Sequence, residues 1–255
     1  ELRLKHLYVE GKSLPQAYHK ALLKLNAEGQ LVGCPDYNTQ CKECGMTFYI
    51  ENALQEPMIS RLFVGGHHEL QQYVMEVCDG ILDFMIGKGE NVWEYTYHDR
   101  IKAQIDFVVK ELHNNPNSRR AIIDVRDNSV DMFNDHPACL QNIMVMIRDN
   151  KLDMKVLMRS NDATEATFMN AFAFIALQEK IAKELGVGVG SYTHTANSFH
   201  SYKKDWGLLA NFVARIQENT ESTYEYKGFY DELMAGEIPE VMAMVADQKR
   251  KYGVK

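Results

Sequence analysis

The sequence has 255 residues, of which 45% are hydrophobic and 25% are charged, so the chain is long enough to bury a substantial core. A formal net charge of -7 argues against a general nucleic-acid surface, which needs a basic stripe to displace counterions from phosphates. No apolar run approaches the roughly 20 residues of a membrane span, and we see no secretion signal. We therefore expect a cytoplasmic protein with no membrane or nucleic-acid partner.

The N-terminal part of the chain has mainly helical periodicity. Leu14 to Leu25 predicts a helix, and Ser13-Leu14-Pro15 has the composition of a helix start. Met46 to Ile50 predicts a strand. Apolar residues at helical spacing then predict packed helices over Glu69 to Phe84 and Ile101 to Leu112.

The cysteine pattern favours free thiols over disulfides. The chain has five cysteines, an odd number, and no sign of export. Cys41-Lys42-Glu43-Cys44 is a lone CxxC, for which Cys34 and His67-His68 offer further zinc ligands. A second pair at the usual spacing is missing, so we interpret this segment as a solvent-facing loop and predict no metal site.

The centre of the chain is rich in short apolar runs that predict strands, over Ala121 to Val125, Asn142 to Ile147 and Leu152 to Leu157. The last two flank Asp149-Asn150, a pair suited to a tight hairpin turn. We predict a β-hairpin there.

A capping-box pattern over Asp162-Ala163-Thr164-Glu165 predicts the start of a helix that Gly186 ends. This helix is apolar on more than one face, which indicates an enclosed element. Beyond it, alternate residues from Tyr192 to Tyr202 predict an extended segment with one shared side. A further helix is predicted over Trp206 to Ile216.

Several residues in these elements have chemistry suited to a site, although each also has an ordinary structural interpretation. Cys139 follows Asp135-His136-Pro137-Ala138 and is either a nucleophile at the end of an element or a small core residue. Arg119, Arg120 and Arg159 match phosphate geometry, but surface ion pairs are the commoner use of arginine. Asn170 either binds a pyrimidine edge or bonds neighbouring backbone.

Four further residues also have an ordinary structural interpretation. Asp162 caps a helix in the simplest view. His200 and Tyr202 share one side of a strand and suit hydroxyl recognition or proton relay, or an aromatic pair in a sheet. Glu69 is either a proton-handling carboxylate or a first-turn helix charge.

Taken together, the order and spacing of these residues resemble the folate-dependent thymidylate synthase family, including its pyrimidine hydroxymethylase branch. The matching pieces are Ser118-Arg119-Arg120, Cys139, Arg159-Ser160-Asn161-Asp162, Asn170, and His194-Thr195 with His200-Ser201-Tyr202. The resemblance is good over residues 95 to 205 and looser before residue 95. It implies a single α+β domain over residues 1–255, with a large mixed sheet that packs back to back in a homodimer.

The resemblance implies roles for most of the candidate residues. Cys139 would attack carbon 6 of the base of dUMP. Arg159 and Ser160 would hold the phosphate, and Arg119 and Arg120 would reach it from the partner subunit. The other implied roles are base recognition for Asn170, folate and water contacts for Asp162, and sugar binding for His200 and Tyr202. Similarity of the flanking residues also implies that Glu69 is the proton-transferring glutamate and that Tyr95 is the active-site tyrosine.

The implied reaction is transfer of a one-carbon unit from 5,10-methylenetetrahydrofolate, or from a related pterin one-carbon carrier, to carbon 5 of dUMP, without a metal. Hydride from the folate would complete a methyl group, giving dTMP, whereas water would give a hydroxymethyl group on dUMP or dCMP. We favour the methyl product and keep the deoxypyrimidine hydroxymethyltransferase as the alternative. A catalytically silent nucleotide- or RNA-binding protein is the third possibility.

The sequence departs from the family pattern at positions near the predicted site. Leu140 and Met158 stand where the synthases usually carry His after the nucleophile and Gln before the Arg-Ser pair. The family's phosphate-binding Arg of an N-terminal loop is absent from residues 35–40, and Lys42, two residues beyond them, is the nearest possible substitute. Asn170 favours uracil, because cytosine-using members carry Asp there.

Overall fold

The computed structural model describes residues 3–89 and 93–254, and within them the chain has an α+β fold around a seven-stranded mixed sheet. The predicted fold class is confirmed. The strands of this sheet are β1 (His6–Gly11), β2 (Gln30–Cys34), β3 (Thr39–Ile50), β5 (Ile122–Asp124), β6 (Leu140–Arg148), β7 (Lys151–Asp162) and β8 (Gly188–Tyr202). A separate ribbon pairs β4 (Ile59–Ser60) with β9 (Thr223–Tyr224).

The long strand β3 connects the N-terminal part of the chain to the rest of the sheet. The strand order is β1-β3-β8-β7-β6-β5, and β2 pairs with the first half of β3. β3 runs antiparallel to β8, β8 runs parallel to β7, and β7 runs antiparallel to β6. This order brings the β2–β3 hairpin, the end of β8 and the start of β6 to one region.

Helices cover one face of the sheet. They are α1 (Leu14–Glu28), α2 (His67–Asp79), α3 (Tyr97–Asn114), α4 (Asn128–Asp131), α5 (Thr167–Leu185), α6 (Trp206–Gln217) and α7 (Asp231–Lys251). The strand residues that face them are fully buried, among them Val145, Met154 and Tyr192. Within the described ranges, none of the helices has the length and apolarity that crossing a membrane requires.

The opposite face of the sheet is only half buried. Met144 and Met146 on β6, Leu157 on β7 and Thr195 on β8 are partly accessible, and they alternate with the buried residues. The alternation follows from the period of two along a strand. This face therefore presents an apolar and threonine-rich surface outside the helical layer.

The hairpin prediction is confirmed. β6 and β7 pair in register up to Arg148 and Lys151, and Asp149 and Asn150 have φ values of 48° and 58°. Two consecutive residues with positive φ are the requirement of a type I′ turn, which Asp and Asn tolerate better than most residues.

The helix predicted over Glu69 to Phe84 is shorter than expected. α2 ends at Asp79, and Gly80 follows with φ of 65°. A Cβ at Gly80 would also collide with the His98 ring, so both backbone conformation and space require glycine there. Ile81 and Phe84 consequently lie outside the helix.

The capping-box prediction was wrong in its position. The helix begins at Thr167, and Asp162 is the last residue of β7. The Asp162 carboxylate accepts hydrogen bonds from the backbone N–H groups of Thr164 and Glu165, each at 3.0 Å. It therefore caps the turn that precedes the helix. The predicted end at Gly186 and the enclosed character of α5 are confirmed.

The prediction of one shared side for Tyr192 to Tyr202 was also wrong. The pairing of β3 with β8 shifts between Met46, opposite Ala196, and Cys44, opposite Phe199, so β8 carries an extra residue there. Such a bulge changes which residues face a given side of the sheet. His194 therefore lies in the core, whereas His200 and Tyr202 line a cavity.

The CxxC segment is not a solvent-facing loop. Cys41 and Cys44 both lie within β3 and are buried, because β3 is much longer than the predicted Met46 to Ile50. His67 and His68 bond the carboxylate of Glu237 and do not approach these thiols.

Candidate active site

A cavity of about 1190 Å³ lies where the β2–β3 hairpin, the ends of β7 and β8 and the segment before β6 meet. We call it the Cys139 cavity. Its lining includes most of the predicted site residues: Tyr95, Cys139, Arg159, Ser160, Asp162, Asn170, His200 and Tyr202. The structure thus brings together residues that are far apart in sequence.

Cys139 immediately precedes β6, and the neighbouring strand holds it in place. Its carbonyl accepts a hydrogen bond from the Arg159 backbone N–H at 2.8 Å. The Arg159 guanidinium donates through Nε to the Ala138 carbonyl at 3.1 Å and through Nη2 to the Pro137 carbonyl at 2.8 Å. One arginine therefore fixes the backbone on which the thiol is carried and also faces the cavity.

The surroundings of Cys139 favour the thiol over the thiolate. Burial raises the pKa of Cys139, and the nearby Arg159 guanidinium opposes that effect without overcoming it. The positive charge of Arg159 thus lowers this pKa, but the effect of burial is larger. Formation of the thiolate therefore needs either a proton acceptor or a change in the surroundings when a ligand binds.

Three tyrosines lie on the side of Cys139 towards α2 and α3. Tyr95 and Tyr97 line the Cys139 cavity, and with Tyr73 they line an adjoining pocket of about 310 Å³. Burial is the main cause that raises the pKa of Tyr95 to about 12, with the Cys139 thiol adding to the effect. These phenols are neutral donors at physiological pH.

A buried ion pair supports the segment that leads to Cys139. Arg100 on α3 donates to Asp131 on α4 at 3.1 and 3.3 Å, and it also donates to the Val125 carbonyl at 3.0 Å. The same guanidinium lies over the Tyr95 ring, 5.2 Å from its centroid. The side chain of Asp131 is 0% exposed, so the pair is shielded from water.

We expect Asp131→Asn to lower the free energy of unfolding at pH 7 by about 3 kcal/mol, because it leaves the Arg100 charge buried without a partner. Burial raises the pKa of Asp131, but hydrogen bonds from Arg100 and Asp127 outweigh burial and leave the pKa lowered. A lowered pKa gives stability that is present above the unfolded-state value and is lost as pH falls through the folded-state value.

Urea unfolding followed by circular dichroism over a pH series tests this. The gap between Asp131→Asn and the unsubstituted protein should narrow as the pH falls below about 4. Asp247→Asn, which breaks an exposed pair with Arg250, is the matched control and should cause no resolvable change. A loss of equal size in both variants would contradict the assignment.

Asn170 and the end of β8 supply the polar part of the cavity. Asn170 is 7% exposed and receives a hydrogen bond from Asn161 at 2.9 Å. The His200 and Tyr202 rings meet edge to face at 4.8 Å, and Tyr37 of the β2–β3 hairpin touches Tyr202 in the same way at 5.5 Å. An aromatic contact between the β2–β3 hairpin and β8 therefore forms one rim of the Cys139 cavity.

Three predicted site residues lie outside the cavity of this single chain. The Glu69 carboxylate accepts a hydrogen bond from the backbone N–H of Gly66 at 2.8 Å. This contact agrees with the interpretation of Glu69 as a first-turn helix charge. Its role in proton transfer stays a prediction. Arg119 and Arg120 are exposed, and Arg120 pairs with Glu111 at 2.9 Å. Their role in a partner's site is likewise a prediction.

Lys42 does not replace the missing phosphate-binding arginine. Its ammonium donates to the backbone carbonyl and the side-chain oxygen of Asn26, both at 3.2 Å, and it does not line the cavity. The hairpin instead contributes Asp36 and Glu43 to the lining. Within residues 3–89 and 93–254, Arg159 is the arginine that faces the cavity.

Sequence reasoning missed several lining residues. Cys34 and Cys41 lie in the cavity wall with their sulfur atoms 3.0 Å apart, because β2 pairs with β3. His136 also lines the cavity, and its place three residues before Cys139 was a usable signal. Tyr73 lies one helical turn after Glu69 on the same face of α2, and that spacing was also visible in the sequence.

The two departures beside the nucleophile meet in space. Leu140 and Met158 are direct partners in the β6–β7 pairing, and both are buried. Met158 also contributes to the cavity wall. An apolar pair therefore occupies the place where a polar pair is usual in the synthases.

Comparison with known proteins shows which family the sequence resembles. Residues 67–231, more than half of the chain, match the family described as thymidylate synthase. A relative from Methanocaldococcus jannaschii, named "Putative thymidylate synthase", is 30% identical over 202 residues, which cover 77% of this chain and 90% of the relative. A protein of the same name from Methanosarcina barkeri is 27% identical over 217 residues, covering 82% and 95%.

A third relative has a different name. A deoxyuridylate hydroxymethyltransferase from Pseudomonas phage M6 is 31% identical over 180 residues, which cover 66% of this chain and 51% of the phage protein. Its existence shows that sequences similar to this one include both branches named in the sequence analysis. From the family match and these relatives, we conclude that the chain belongs to the thymidylate synthase family, whose members are one-carbon transferases.

Proposed function

We propose that this protein transfers a one-carbon unit from 5,10-methylenetetrahydrofolate to carbon 5 of dUMP, giving dTMP. The observation that carries the proposal is that a cysteine, a guanidinium and a buried carboxamide line one cavity, at Cys139, Arg159 and Asn170. These are the groups needed to attack a pyrimidine ring, to hold a phosphate and to recognise a base edge.

In the proposed complex the nucleotide lies across the cavity. Arg159 and Ser160 hold the phosphate, and His200 and Tyr202 bind the sugar hydroxyl. Asn170 pairs with N3 and O4 of uracil. The volume of the cavity and its aromatic wall, which includes Tyr95 and Tyr37, leave room for the folate beside the base. Asp162 is then placed to contact the folate and ordered water.

The covalent step begins at the Cys139 sulfur. The thiolate forms a bond to carbon 6, and the electrons of the C5–C6 double bond move towards carbon 5 and O4. Carbon 5 then forms a bond to the folate methylene carbon. Loss of the carbon-5 proton and departure of the folate amine leave an exocyclic methylene on carbon 5, with the sulfur still bonded to carbon 6. Addition of hydride or water to that methylene carbon then restores the C5–C6 double bond and expels the thiolate. Glu69 and Tyr95 are our candidates for proton transfer in these steps.

The last step decides between the two products. Hydride from the folate gives the methyl group and dihydrofolate, whereas water gives a hydroxymethyl group. The buried pair of Leu140 and Met158 offers water no hydrogen-bond partner beside the nucleophile, which supports the methyl product. The similarity to the phage hydroxymethyltransferase supports the alternative, hydroxymethyl transfer to dUMP or dCMP.

We further propose that residues 1–255 act as one catalytic domain in a cytoplasmic homodimer. The half-buried sheet face with Met144, Met146 and Leu157 suits back-to-back packing, since an exposed apolar patch of a sheet is commonly covered by a partner. Exposed Arg119 and Arg120 would then reach the partner's phosphate site. Sedimentation velocity should give a mass of two chains, and a monomer at micromolar concentration would contradict this part of the proposal.

The test of the reaction is a paired assay with dUMP and dCMP. We expect release of tritium from carbon 5 of dUMP, an absorbance rise from dihydrofolate and a product heavier by one methylene group. Tritium release without dihydrofolate, with a hydroxymethyl product, would establish the alternative. Binding of dUMP without exchange of the carbon-5 hydrogen would instead favour a silent nucleotide-binding protein.

We expect Asn170→Asp to reverse the choice of base. A protonated or anionic carboxyl group offers cytosine an acceptor for its amino group, and it removes the N–H donor that O4 of uracil needs. The ratio of kcat/KM for dUMP over dCMP should fall by about a hundredfold, because a buried polar group left without a partner costs up to about 3 kcal/mol. An unchanged ratio would show that Asn170 does not read the base.

A further inference from the structure

Asn170 is one end of a buried hydrogen-bond chain that runs from the cavity into the core. Its Nδ2 donates to the Tyr73 hydroxyl, and its Oδ1 accepts from Asn161 Nδ2 at 2.9 Å. Asn161 Oδ1 in turn lies 2.8 Å from His194 Nε2, and His194 Nδ1 lies 2.9 Å from the Tyr192 hydroxyl. Asn161 also lines the cavity but is only 3% exposed, and the links beyond it are enclosed, since His194 and Tyr192 are 0% exposed.

The far end of the chain determines the direction of every hydrogen bond in it. Within the described part of the protein, the Tyr192 hydroxyl has His194 Nδ1 as its partner and is shielded from water. A buried O–H without an acceptor costs more than an unused lone pair, so the Tyr192 hydroxyl donates to Nδ1. The imidazole must then carry its proton on Nε2.

Two features of His194 support this tautomer. Burial lowers its pKa to about 3, so the ring is neutral and one nitrogen is an acceptor. The ring also stacks on Phe48, with centroids 4.6 Å apart and planes 5° apart, which holds both nitrogens in place.

The His194 tautomer determines the donor–acceptor direction of the hydrogen bonds that lead from the ring to the cavity. His194 Nε2–H donates to Asn161 Oδ1, so the Asn161 amino group faces Asn170 and donates to its Oδ1. The Asn170 amino group therefore lies on the side of Tyr73. Each polar atom of the Asn170 carboxamide keeps one free valence, a lone pair on Oδ1 and a hydrogen on Nδ2.

We propose that Asn161, His194 and Tyr192 are positioning residues that lock the Asn170 carboxamide in the orientation complementary to uracil. Uracil presents an N3–H donor and an O4 acceptor, which match the free valences. Cytosine presents an N3 acceptor and an amino donor, and it requires the reversed carboxamide. This inference rests on the proposed function. It means that Asn161, His194 and Tyr192, as well as Asn170, determine which base the site accepts.

The substitution Asn161→Asp tests the inference, because it reverses the direction of the hydrogen bond to Asn170 while residue 170 itself stays asparagine. The introduced carboxylate accepts from His194 on one oxygen and can only accept from Asn170 on the other, so the Asn170 carboxamide must rotate. We expect the ratio of kcat/KM for dUMP over dCMP to fall at least about tenfold, with the ratio of binding affinities moving in the same direction.

Asn197→Asp is the matched control. Asn197 is exposed on the same strand as His194 and lies outside the cavity, so the same chemical change there should leave the ratio unaltered. A folded Asn161→Asp protein with the ratio of the unsubstituted enzyme would overturn the inference. If the unsubstituted enzyme exchanges no carbon-5 hydrogen, the proposed function fails, and the inference is then judged by the binding affinities alone.

A second measurement does not depend on the folding of any variant. Long-range ¹H–¹⁵N spectra of the unsubstituted protein distinguish the two neutral tautomers of a histidine ring. We expect the Nε2–H tautomer for His194, unchanged down to the lowest pH at which the protein stays folded. The Nδ1–H tautomer would reverse the direction of the whole chain and overturn the inference.

Discussion

Replacement of Cys139 by serine should lower tritium release from carbon 5 of dUMP by at least about a thousandfold, because an alcohol is far less acidic and less nucleophilic than a thiol. Arg159, which lines the Cys139 cavity, lies close enough to the sulfur for its charge to favour a thiolate. The loss should fall on kcat, and dUMP binding should change little, because the groups that hold the phosphate and the base are retained.

Cys78→Ser is the control for this experiment. Cys78 is a buried thiol on α2 outside the cavity, and its sulfur lies 3.9 Å from the Ala173 carbonyl. The same exchange of sulfur for oxygen there should leave turnover within a few-fold of the unsubstituted protein. Turnover that survives in Cys139→Ser would show that another group attacks the ring.

The second large effect is expected at Arg159. Lysine at this position keeps the charge but cannot donate to the Pro137 and Ala138 carbonyls and to a phosphate at the same time. Loss of one charge-assisted contact is worth about 1.5 to 3 kcal/mol, so we expect the KM for dUMP to rise by about tenfold to a hundredfold. kcat should also fall, because the backbone that carries Cys139 is no longer clamped.

A titration separates the effect of Arg159 on the thiol from its effect on the phosphate. Arg159 is the cation that opposes the burial of Cys139. In Arg159→Gln the pKa seen in the alkylation rate of Cys139 should therefore be higher than in the unsubstituted protein, with no nucleotide present. Arg148→Lys, on the exposed end of β6, should change neither KM nor this pKa. Equal alkylation pKa values in Arg159→Gln and the unsubstituted protein would contradict the electrostatic role.

The fold and the site were predictable from the sequence where the determinants are local. Asp149 and Asn150 tolerate positive φ, which fixed the hairpin, and Gly186 ended α5 where the apolar pattern stopped. Gly80 ended α2 for the same reason, although the apolar pattern continued past it. For α2, the glycine therefore predicts the end of the helix better than the apolar pattern does.

The rest depends on contacts between distant segments. The extra residue in β8 is recognisable from the strand pairing and has no local signal, so His194 was placed on the wrong side. Cys34 and Cys41 reach the cavity through the pairing of β2 with β3 and of Cys41 with Tyr202. The raised pKa of Cys139 was likewise not predictable, because it results from burial, which depends on the whole fold and outweighs the charge of Arg159.

The central claim is that the Cys139 sulfur bonds to carbon 6 of the nucleotide base. An analogue of dUMP with fluorine at carbon 5 tests it directly, because fluorine cannot leave as a cation and the adduct cannot break down forwards. After incubation of the protein with this analogue and methylenetetrahydrofolate, we expect peptide mass spectrometry to show both ligands attached to the peptide that carries Cys139. An unmodified Cys139 peptide, or a label on Cys34 or Cys41, would contradict the account.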